Sequence, residues 1–384
     1  MPPKTQSIYS MKIITQIARV IMALVFIISG LLKANDPTGF GFKLQEYFEH
    51  FGLDFFVPYA FVISMVVSVL EILMGYALLI GVKAKLTVWG TFVMMLFFWL
   101  LVAYSAKTGA VSDCGCFGDA VKFSPAQEFR NDSIFLVLII LMLFGMKHIQ
   151  PLFNRAIGMV TFIVVLFLSM GFTIKNYLYL PAKDFLPFKE GNHIQEKMKS
   201  DDPDVWENTF EYTYLPTGAD SVIDAARLKQ LYKEGIDSLY KWKKTNNTRV
   251  HEGKPAPIHD FIIKDNNGND VTLSFFNEDY KLVVTSYDLS KSNRTVFTKI
   301  AALSDAWRKK GKDFWGLTNS KDDVTEPLKH EYQLYVDFYE LDATPIKMMV
   351  RSNPGLLLIK GDQVIKKWSS YNIPKIEEVE KLMQ

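Results

Sequence analysis

Five apolar segments in the first 180 residues constrain this chain more than any other feature of its sequence. They cover residues 12–34, 57–82, 86–106, 133–147 and 156–180. An α-helix needs about 20 mostly apolar residues to cross the hydrocarbon core of a bilayer. The fourth segment is shorter than this, but it extends upstream into the preceding loop. The sequence therefore predicts a membrane bundle of five helices over residues 1–181, surrounded by the lipid bilayer.

The first segment is expected to remain part of the protein rather than to be cleaved as a signal peptide. Arg19 interrupts its apolar run, and no small-residue cleavage site follows Lys33. If the N-terminus is cytoplasmic, Lys and Arg residues mark the inner segment ends at positions 4, 12, 83, 85, 147 and 155. Five crossings then predict a multi-pass protein of a bacterial inner membrane with a periplasmic C-terminal domain. A re-entrant fourth segment would instead return that domain to the cytoplasm.

The charged residues Arg19 and Glu71 lie within the predicted spans. A charge inside a membrane is costly unless it is paired or serves a function. We expect the two side chains to form a structural pair that locks the bundle, with Lys33 reaching outward to the membrane surface. The alternative interpretation is a proton site or a quinone-associated site at Glu71.

The charge balance of the whole chain excludes one class of partner. The chain has 43 Lys and Arg residues against 41 Asp and Glu residues, and neither half has the basic excess that nucleic-acid binding requires. We therefore expect no nucleic-acid partner. Haem and iron–sulfur ligand patterns are also missing, so the sequence requires no cofactor, and quinone chemistry is the weaker interpretation.

The chain has two cysteines, Cys114 and Cys116, in the loop between the third and fourth segments. Two cysteines cannot build a disulfide scaffold or a four-thiolate zinc site. A Cys-Gly-Cys sequence can close into a strained, easily reduced disulfide, because Gly115 supplies the necessary backbone freedom. Three interpretations stay open in an oxidising compartment: a redox-active pair that exchanges with a partner thiol, an inert loop staple, or half of a metal site.

At these residues the chain resembles the DoxX-like membrane proteins and, among them, the MauE branch of methylamine-utilisation accessory proteins. The resemblance covers residues 12–150. Its motifs are Ser29-Gly30-Leu31-Leu32-Lys33 leading into Asn35-Asp36-Pro37, then Glu71 followed by Gly75 and Gly81, and Cys114-Gly115-Cys116-Phe117-Gly118. The resemblance implies a small helical bundle that helps to form disulfides in exported proteins, often beside a thioredoxin-like partner.

A connector or small α/β subdomain is expected at residues 182–250, and strands then alternate with helices over residues 251–384. This last region resembles a thioredoxin-like domain of the TlpA or peroxiredoxin-related kind, with Pro354 at the position of the family's cis-proline. Ser290 and Asn293 stand where the family has its Cys-x-x-Cys thiols. Because neither a hydroxyl nor an amide can replace a thiolate, we expect this domain to be redox-dead. It would bind an extended client or partner, or Ser290 would simply cap a helix while Asn293 is a satisfied polar residue.

The leading hypothesis from the sequence is a membrane thiol–disulfide accessory protein for the maturation of exported proteins. In it, Cys114 and Cys116 exchange disulfides with a thioredoxin-like redox protein or an exported client, which the thiol-free domain docks. The alternative is a non-enzymatic membrane scaffold of the cell envelope, in which a disulfide between the two cysteines is only a staple.

Overall fold

The computed structural model describes residues 3–109, 118–120, 123–233, 235, 239–251 and 253–384. Within them the chain divides into two compact units, Asn192–Phe261 and the combination of Met1–Gly191 with Ile262–Gln384. The larger unit contains both a helical bundle and a mixed sheet. The smaller unit is a separate sheet domain.

Helices account for nearly all of the described N-terminal part. They are α1 (Pro3–Asn35), α2 (Pro37–His50), α3 (Ala60–Ile80), α4 (Ala84–Thr108), α5 (Pro125–Gly145) and α6 (Arg155–Tyr179). Among the described residues, five stretches are long and apolar enough to cross a membrane: Met11–Asn35, Asp54–Ile80, Ala84–Thr108, Pro125–His148 and Arg155–Tyr179. These spans confirm the predicted five-helix membrane bundle, and the fourth includes the upstream extension.

Two glycines bring α1 and α3 into close contact. A Cβ atom added to Gly30 would lie 2.8 Å from the backbone nitrogen of Ile72, and one added to Gly75 would lie 2.7 Å from the carbonyl oxygen of Ala23. Small residues of this kind allow membrane helices to approach with their backbones nearly touching. The two contacts set the antiparallel register of α1 against α3.

The smaller unit contains a three-stranded antiparallel sheet in the order β2-β1-β3. Its elements are α7 (Ile194–Lys197), β1 (Val205–Tyr214), β2 (Ala219–Asp224), α8 (Ala225–Lys233) and β3 (Tyr240–His251). Leu228 and Leu231 of α8 pack on Tyr212 and Ile223 of the sheet and form a small core with them.

The C-terminal part of the larger unit is built on a five-stranded sheet in the order β6-β5-β4-β7-β8. β4 pairs in parallel with β5, and β5 with β6, whereas β7 is antiparallel to both β4 and β8. The elements are α9 (Thr272–Phe275), β4 (Tyr280–Ser286), α10 (Phe297–Arg308), β5 (Phe314–Thr318), α11 (Asp322–Tyr332), β6 (Asp337–Glu340), α12 (Ala343–Met349), β7 (Gly355–Lys360), β8 (Gln363–Ser369) and α13 (Ile376–Lys381). This topology confirms the predicted thioredoxin-like domain.

The core of this domain lies between the sheet and its helices. Strand β4 is buried along nearly its whole length, as expected for a central strand covered on both faces. Phe297 and Trp307 of α10 pack in the same cluster as Leu282 of β4 and Leu358 of β7. The peptide bond between Asn353 and Pro354, immediately before β7, is cis.

Candidate functional site

Glu71 is paired with Lys33 inside the bundle. Lys33 Nζ lies 2.5 Å from Glu71 Oε1, and the two side chains are 1% and 3% exposed. Ser29 donates its hydroxyl to Glu71 Oε2 at 2.9 Å and accepts a hydrogen bond from Lys33 at 3.1 Å. The Lys33 ammonium also lies 4.4 Å from the ring centre of Phe98. Lys33 is thus buried, and the expectation that it reaches outward to the membrane surface is wrong.

Arg19 is bonded elsewhere, to the C-terminal end of α3. Its Nε and Nη2 donate to the carbonyl oxygens of Leu78 and Leu79, each at 2.7 Å, and its Nη1 donates to Gln16 Oε1 at 2.9 Å. The last carbonyls of a helix have no partner within the helix and carry its negative dipole end, so a guanidinium stabilises them. The predicted pair between Arg19 and Glu71 is therefore wrong.

The register of α1 against α3 explains this correction. The glycine contacts put Gly30 beside Glu71 and Ile72, and they put Gly75 beside Ala23 and Ile27. Moving back along α1 to Arg19 therefore moves forward along α3 to the residues near its end. Leu78 is seven residues beyond Glu71, which is about 10 Å along the helix axis. Lys33, one turn beyond Ser29, is the cation at the level of Glu71.

A second group of charges joins the bundle to the thioredoxin-like domain. Arg351 is buried, and its Nε donates to Asp36 Oδ2 at 2.7 Å while its Nη2 donates to Asp119 Oδ2 at 2.5 Å. Its Nη1 donates to the carbonyl oxygen of Lys347 at 2.7 Å. Burial opposes the positive charge, but the two carboxylates outweigh it and raise the pKa of Arg351 above its ordinary value. We call these three residues, Arg351, Asp36 and Asp119, the arginine clamp.

The members of the arginine clamp come from three separate segments of the chain. Asp36 belongs to the Asn35-Asp36-Pro37 motif and also caps α2 by accepting from the Gly39 amide at 2.8 Å. Asp119 follows Cys116 by three residues, and Arg351 precedes Pro354 by three. A Cβ atom on Gly39 would lie 2.8 Å from Arg351 Nη2, so only glycine leaves room for the guanidinium there.

Further contacts surround the arginine clamp. The ring of Phe42 on α2 meets Tyr287 of the thioredoxin-like domain edge-on, with ring centres 5.3 Å apart. Lys347 Nζ lies 4.9 Å from the centre of the Phe42 ring. Burial raises the pKa of Tyr287 to about 12, so this side chain stays a neutral phenol. The contacts combine apolar packing with charge pairing, as in a stable interface between domains.

The degenerate thioredoxin site lies beside the cis-proline. Ser290 is exposed, and its hydroxyl donates to Asp288 Oδ1 at 2.5 Å. Asn293 Oδ1 accepts from the backbone amide of Thr295 at 3.2 Å, so Asn293 caps the turn that leads into α10. Asp288 caps the preceding turn. The capping roles thus belong to Asp288 and Asn293 and not to Ser290, which corrects that part of the sequence interpretation.

Hydrogen bonds hold Asn353 against this degenerate site. The Asn353 amide group donates to the carbonyl oxygen of Asp288 at 2.8 Å and accepts from the Ser286 hydroxyl at 2.6 Å. The Asn293 backbone amide donates to the Asn353 carbonyl oxygen at 3.1 Å. Burial opposes the charge on Asp288, but hydrogen bonds from Ser290 and Lys291 hold its pKa below the ordinary value. The loop of Ser290 and the loop of Pro354 therefore form one connected surface.

Cys114 and Cys116 lie outside the described residues. The structure therefore leaves the three interpretations of the Cys-Gly-Cys sequence as they were. In the described part of the chain, no cluster of three or more His, Cys, Asp and Glu side chains could hold a metal ion.

Residues 11–145 match the family model of the methylamine utilisation protein MauE. No curated protein matches this chain. Among solved structures, the thioredoxin domain of a thiol-disulfide oxidoreductase from Bacteroides vulgatus is 19% identical, with 32% of this chain and 92% of that chain covered and a TM-score of 0.26. A thiol peroxidase from Chromobacterium violaceum is 17% identical, with 33% and 83% covered and a TM-score of 0.26.

The protein is thus a multi-pass membrane protein whose membrane part is similar to MauE over residues 11–145, and it also contains a thioredoxin-like domain. The thioredoxin-like assignment rests on the strand order of the domain itself.

The sequence interpretation missed three residues of these sites. The position of Lys33 could have indicated its role. Ser29 lies one helical turn before Lys33, so the two polar side chains share one face of α1. Arg351 lies in no motif, but Asp36 lies in one motif of the MauE resemblance and Asp119 directly follows another. Two such acids need a cation if they become buried. Asp132, which precedes the predicted fourth segment by one residue, lies buried within the observed span.

Proposed function

We propose that the protein is a membrane thiol–disulfide accessory protein for the maturation of exported proteins. Cys114 and Cys116 form the exchanging pair, and the redox-dead thioredoxin-like domain is its docking module. The protein resides in a bacterial inner membrane with the C-terminal domain in the periplasm. Its partners are a separate thioredoxin-like redox protein and exported clients.

The arginine clamp is the observation that carries this proposal. It ties the cis-proline loop of the thioredoxin-like domain to Asp119, which follows Cys116 by three residues in the sequence. It also ties that loop to Asp36 at the end of the first span. An arrangement that attaches a thiol-free thioredoxin-like domain to Asp119, three residues after Cys116 in the sequence, supports joint handling of one partner.

The proposed reaction is a disulfide exchange in two steps. A client thiolate attacks one sulfur of the oxidised Cys114–Cys116 pair, which gives a mixed disulfide and releases the other cysteine as a thiolate. The second client thiolate then attacks the mixed disulfide. The client gains a disulfide, and the pair gains the two electrons and becomes a dithiol. The disulfide of the partner redox protein reoxidises the pair by the reverse sequence.

Trapping of the mixed disulfide tests this proposal. The single variants Cys114→Ser and Cys116→Ser each keep one thiol, and at least one should give a reductant-sensitive adduct on a nonreducing gel. The double variant is the matched control and should give none. If neither single variant traps a partner and cells with the double variant behave as wild type, the thiol mechanism fails and the non-enzymatic scaffold takes its place.

The docking role of the domain has its own test. Arg351→Met in the trapping background removes both ion pairs of the arginine clamp while all cysteines of that background remain. When the two proteins are compared at equal levels in the membrane, we expect the amount of trapped partner to be lower in the Arg351→Met variant. Unchanged trapping would show that the domain does not take part in the exchange.

The proposed orientation is tested with reporters that are active only outside the cytoplasm. Fusions after Lys107 and after Gln384 should be active, and a fusion after Lys83 should be inactive. Activity at Lys83 alone would reverse the orientation of the whole bundle.

A further inference from the structure

A small cavity lies inside the membrane bundle beside the Lys33–Glu71 pair, and four of its lining residues are polar or charged. Its volume is about 30 Å³, and its polar lining consists of Ser29, Lys33, Glu71 and Asp132. Helix α4 contributes apolar side chains to it, among them Phe98. A cavity needs roughly 10–15 Å³ to hold one water molecule. The cavity therefore has room for water and not for a quinone ring, which argues against a quinone at Glu71.

Asp132 is the unusual member of this lining. It lies seven residues inside the span Pro125–His148, which is about 10 Å along the helix. The residue is 4% exposed, and among the described residues no donor is bonded to its Oδ2 atom. An ionised carboxylate without a donor is strongly disfavoured in such surroundings.

Charged side chains of α1 and α3 line the same cavity as Asp132. Among the described residues that line the cavity, Lys33 is the cation, and its ammonium is already bonded to Glu71 and Ser29. Glu71 on α3 and the buried Glu128 on α5 both act on Asp132 electrostatically, as Lys33 on α1 does with opposite sign. The lining residues from α4 include Met95 and Phe98, which carry no charge.

We propose that Asp132 is a proton-binding site inside the membrane, connected to Glu71 through water in the cavity. With the proton on Asp132, the charges of Lys33, Glu71 and Asp132 sum to zero. If the proton moves from Asp132 to Glu71, Asp132 becomes the counter-ion of Lys33 and the sum stays zero. The proton can therefore move from one carboxyl group to the other without creating net charge in a medium of low dielectric constant.

Infrared spectroscopy of the full chain in lipid nanodiscs tests the site, because a protonated carboxylic acid has its own C=O stretching band. At neutral pH the wild type should show such a band, and carbon-13 labelling of aspartate side chains should shift it. Asp132→Asn should lose the band. The matched control is Asp54→Asn, which removes an exposed carboxylate and should keep it.

A second variant decides the matter if Asp132→Asn does not fold. Asp132→Glu keeps a carboxylic acid at the same position, so its band should respond to glutamate labelling and no longer to aspartate labelling. The absence of an aspartate-sensitive band in the wild type would overturn the proposal. A band that keeps its aspartate sensitivity in Asp132→Glu would do the same.

The link between the two carboxyl groups has a separate signature. In Glu71→Gln, Lys33 loses its counter-ion, and we expect Asp132 to ionise in its place, so the band disappears at neutral pH. If the band persists unchanged in Glu71→Gln, the two carboxyl groups do not share a proton. None of these measurements involves a cysteine, so their outcome is independent of the thiol–disulfide proposal.

Discussion

Removal of Glu71 offers the sharpest test of how charges are paired in the bundle. Glu71→Gln keeps the size of the side chain but leaves the Lys33 ammonium without its carboxylate, in a site where the two side chains are 1% and 3% exposed. A second single variant, Lys33→Met, removes the cation of the pair. Arg19→Gln serves as the matched control, because Arg19 is bonded to the end of α3 and not to Glu71.

The expected magnitude follows from the surroundings of Lys33. Breaking a buried ion pair by removing one partner costs about 3–5 kcal/mol of stability. The Phe98 ring, 4.4 Å from the ammonium, stays in place, and a desolvated cation–π contact contributes up to about 2 kcal/mol. Asp132 also lines the same cavity and can take over part of the charge. We therefore expect Glu71→Gln to cost about 3 kcal/mol, at the lower end of the range for buried pairs.

The double variants separate the two possible partners. Lys33→Met combined with Glu71→Gln removes both charges and should recover most of the loss, because replacing a whole buried pair is often close to neutral. The losses of unfolding free energy caused by Arg19→Gln and by Glu71→Gln should add to within about 0.5 kcal/mol in the double variant, because the two sites share no partner. Reversible unfolding in mixed micelles, followed by tryptophan fluorescence, measures the stability of the wild type and the five variants. A larger coupling of Glu71 to Arg19 than to Lys33 would refute the pairing and the helix register behind it.

Three further predictions concern packing, the degenerate site and pH. Gly30→Ala should destabilise the bundle by about 1–3 kcal/mol in the same unfolding assay, because its Cβ would collide with α3, whereas Gly171→Ala has open space and should not. Cysteines introduced at Ser290 and Asn293 in a cysteine-free background should form a disulfide that dithiothreitol reduces, because both positions precede α10. Failure to form it would contradict the alignment of Ser290 and Asn293 with the thioredoxin thiols. Burial lowers the pKa of Lys281 to about 8 from 10.5, so the unfolded state binds more protons between these values and stability should rise with pH across that window. Lys281→Met should abolish this rise in thermal unfolding curves, and an equal rise in the variant would assign it to another group.

The elements of the protein follow from patterns that lie close together in the sequence. Each span is visible as a run of apolar residues, because the bilayer demands an unbroken apolar helix whatever its neighbours are. The thioredoxin-like domain is visible for a similar reason. Its buried central strand is a short apolar run, and its strand and helix patterns alternate along the chain.

The partners of the charged residues do not follow from such patterns. Arg19 and Lys33 lie on the same helix, and both are candidates for Glu71 when hydropathy alone is considered. The choice between them depends on the register at which Gly30 and Gly75 let α1 and α3 meet. A shift by two helical turns would exchange the partners without changing either apolar segment.

The arginine clamp shows the same limit over a greater distance. Arg351 and Asp36 are 315 residues apart in the sequence, and they meet only once the thioredoxin-like domain packs on the bundle. The sequence by itself determined the spans, the alternation of strands and helices, and the loss of the thioredoxin thiols, because local composition and spacing specify these. Only the tertiary structure decided that Lys33 neutralises Glu71, that Asp132 Oδ2 has no donor among the described residues, and that Arg351 bridges Asp36 and Asp119. Each of these outcomes depends on a few ångströms of packing geometry between segments that are remote in the chain.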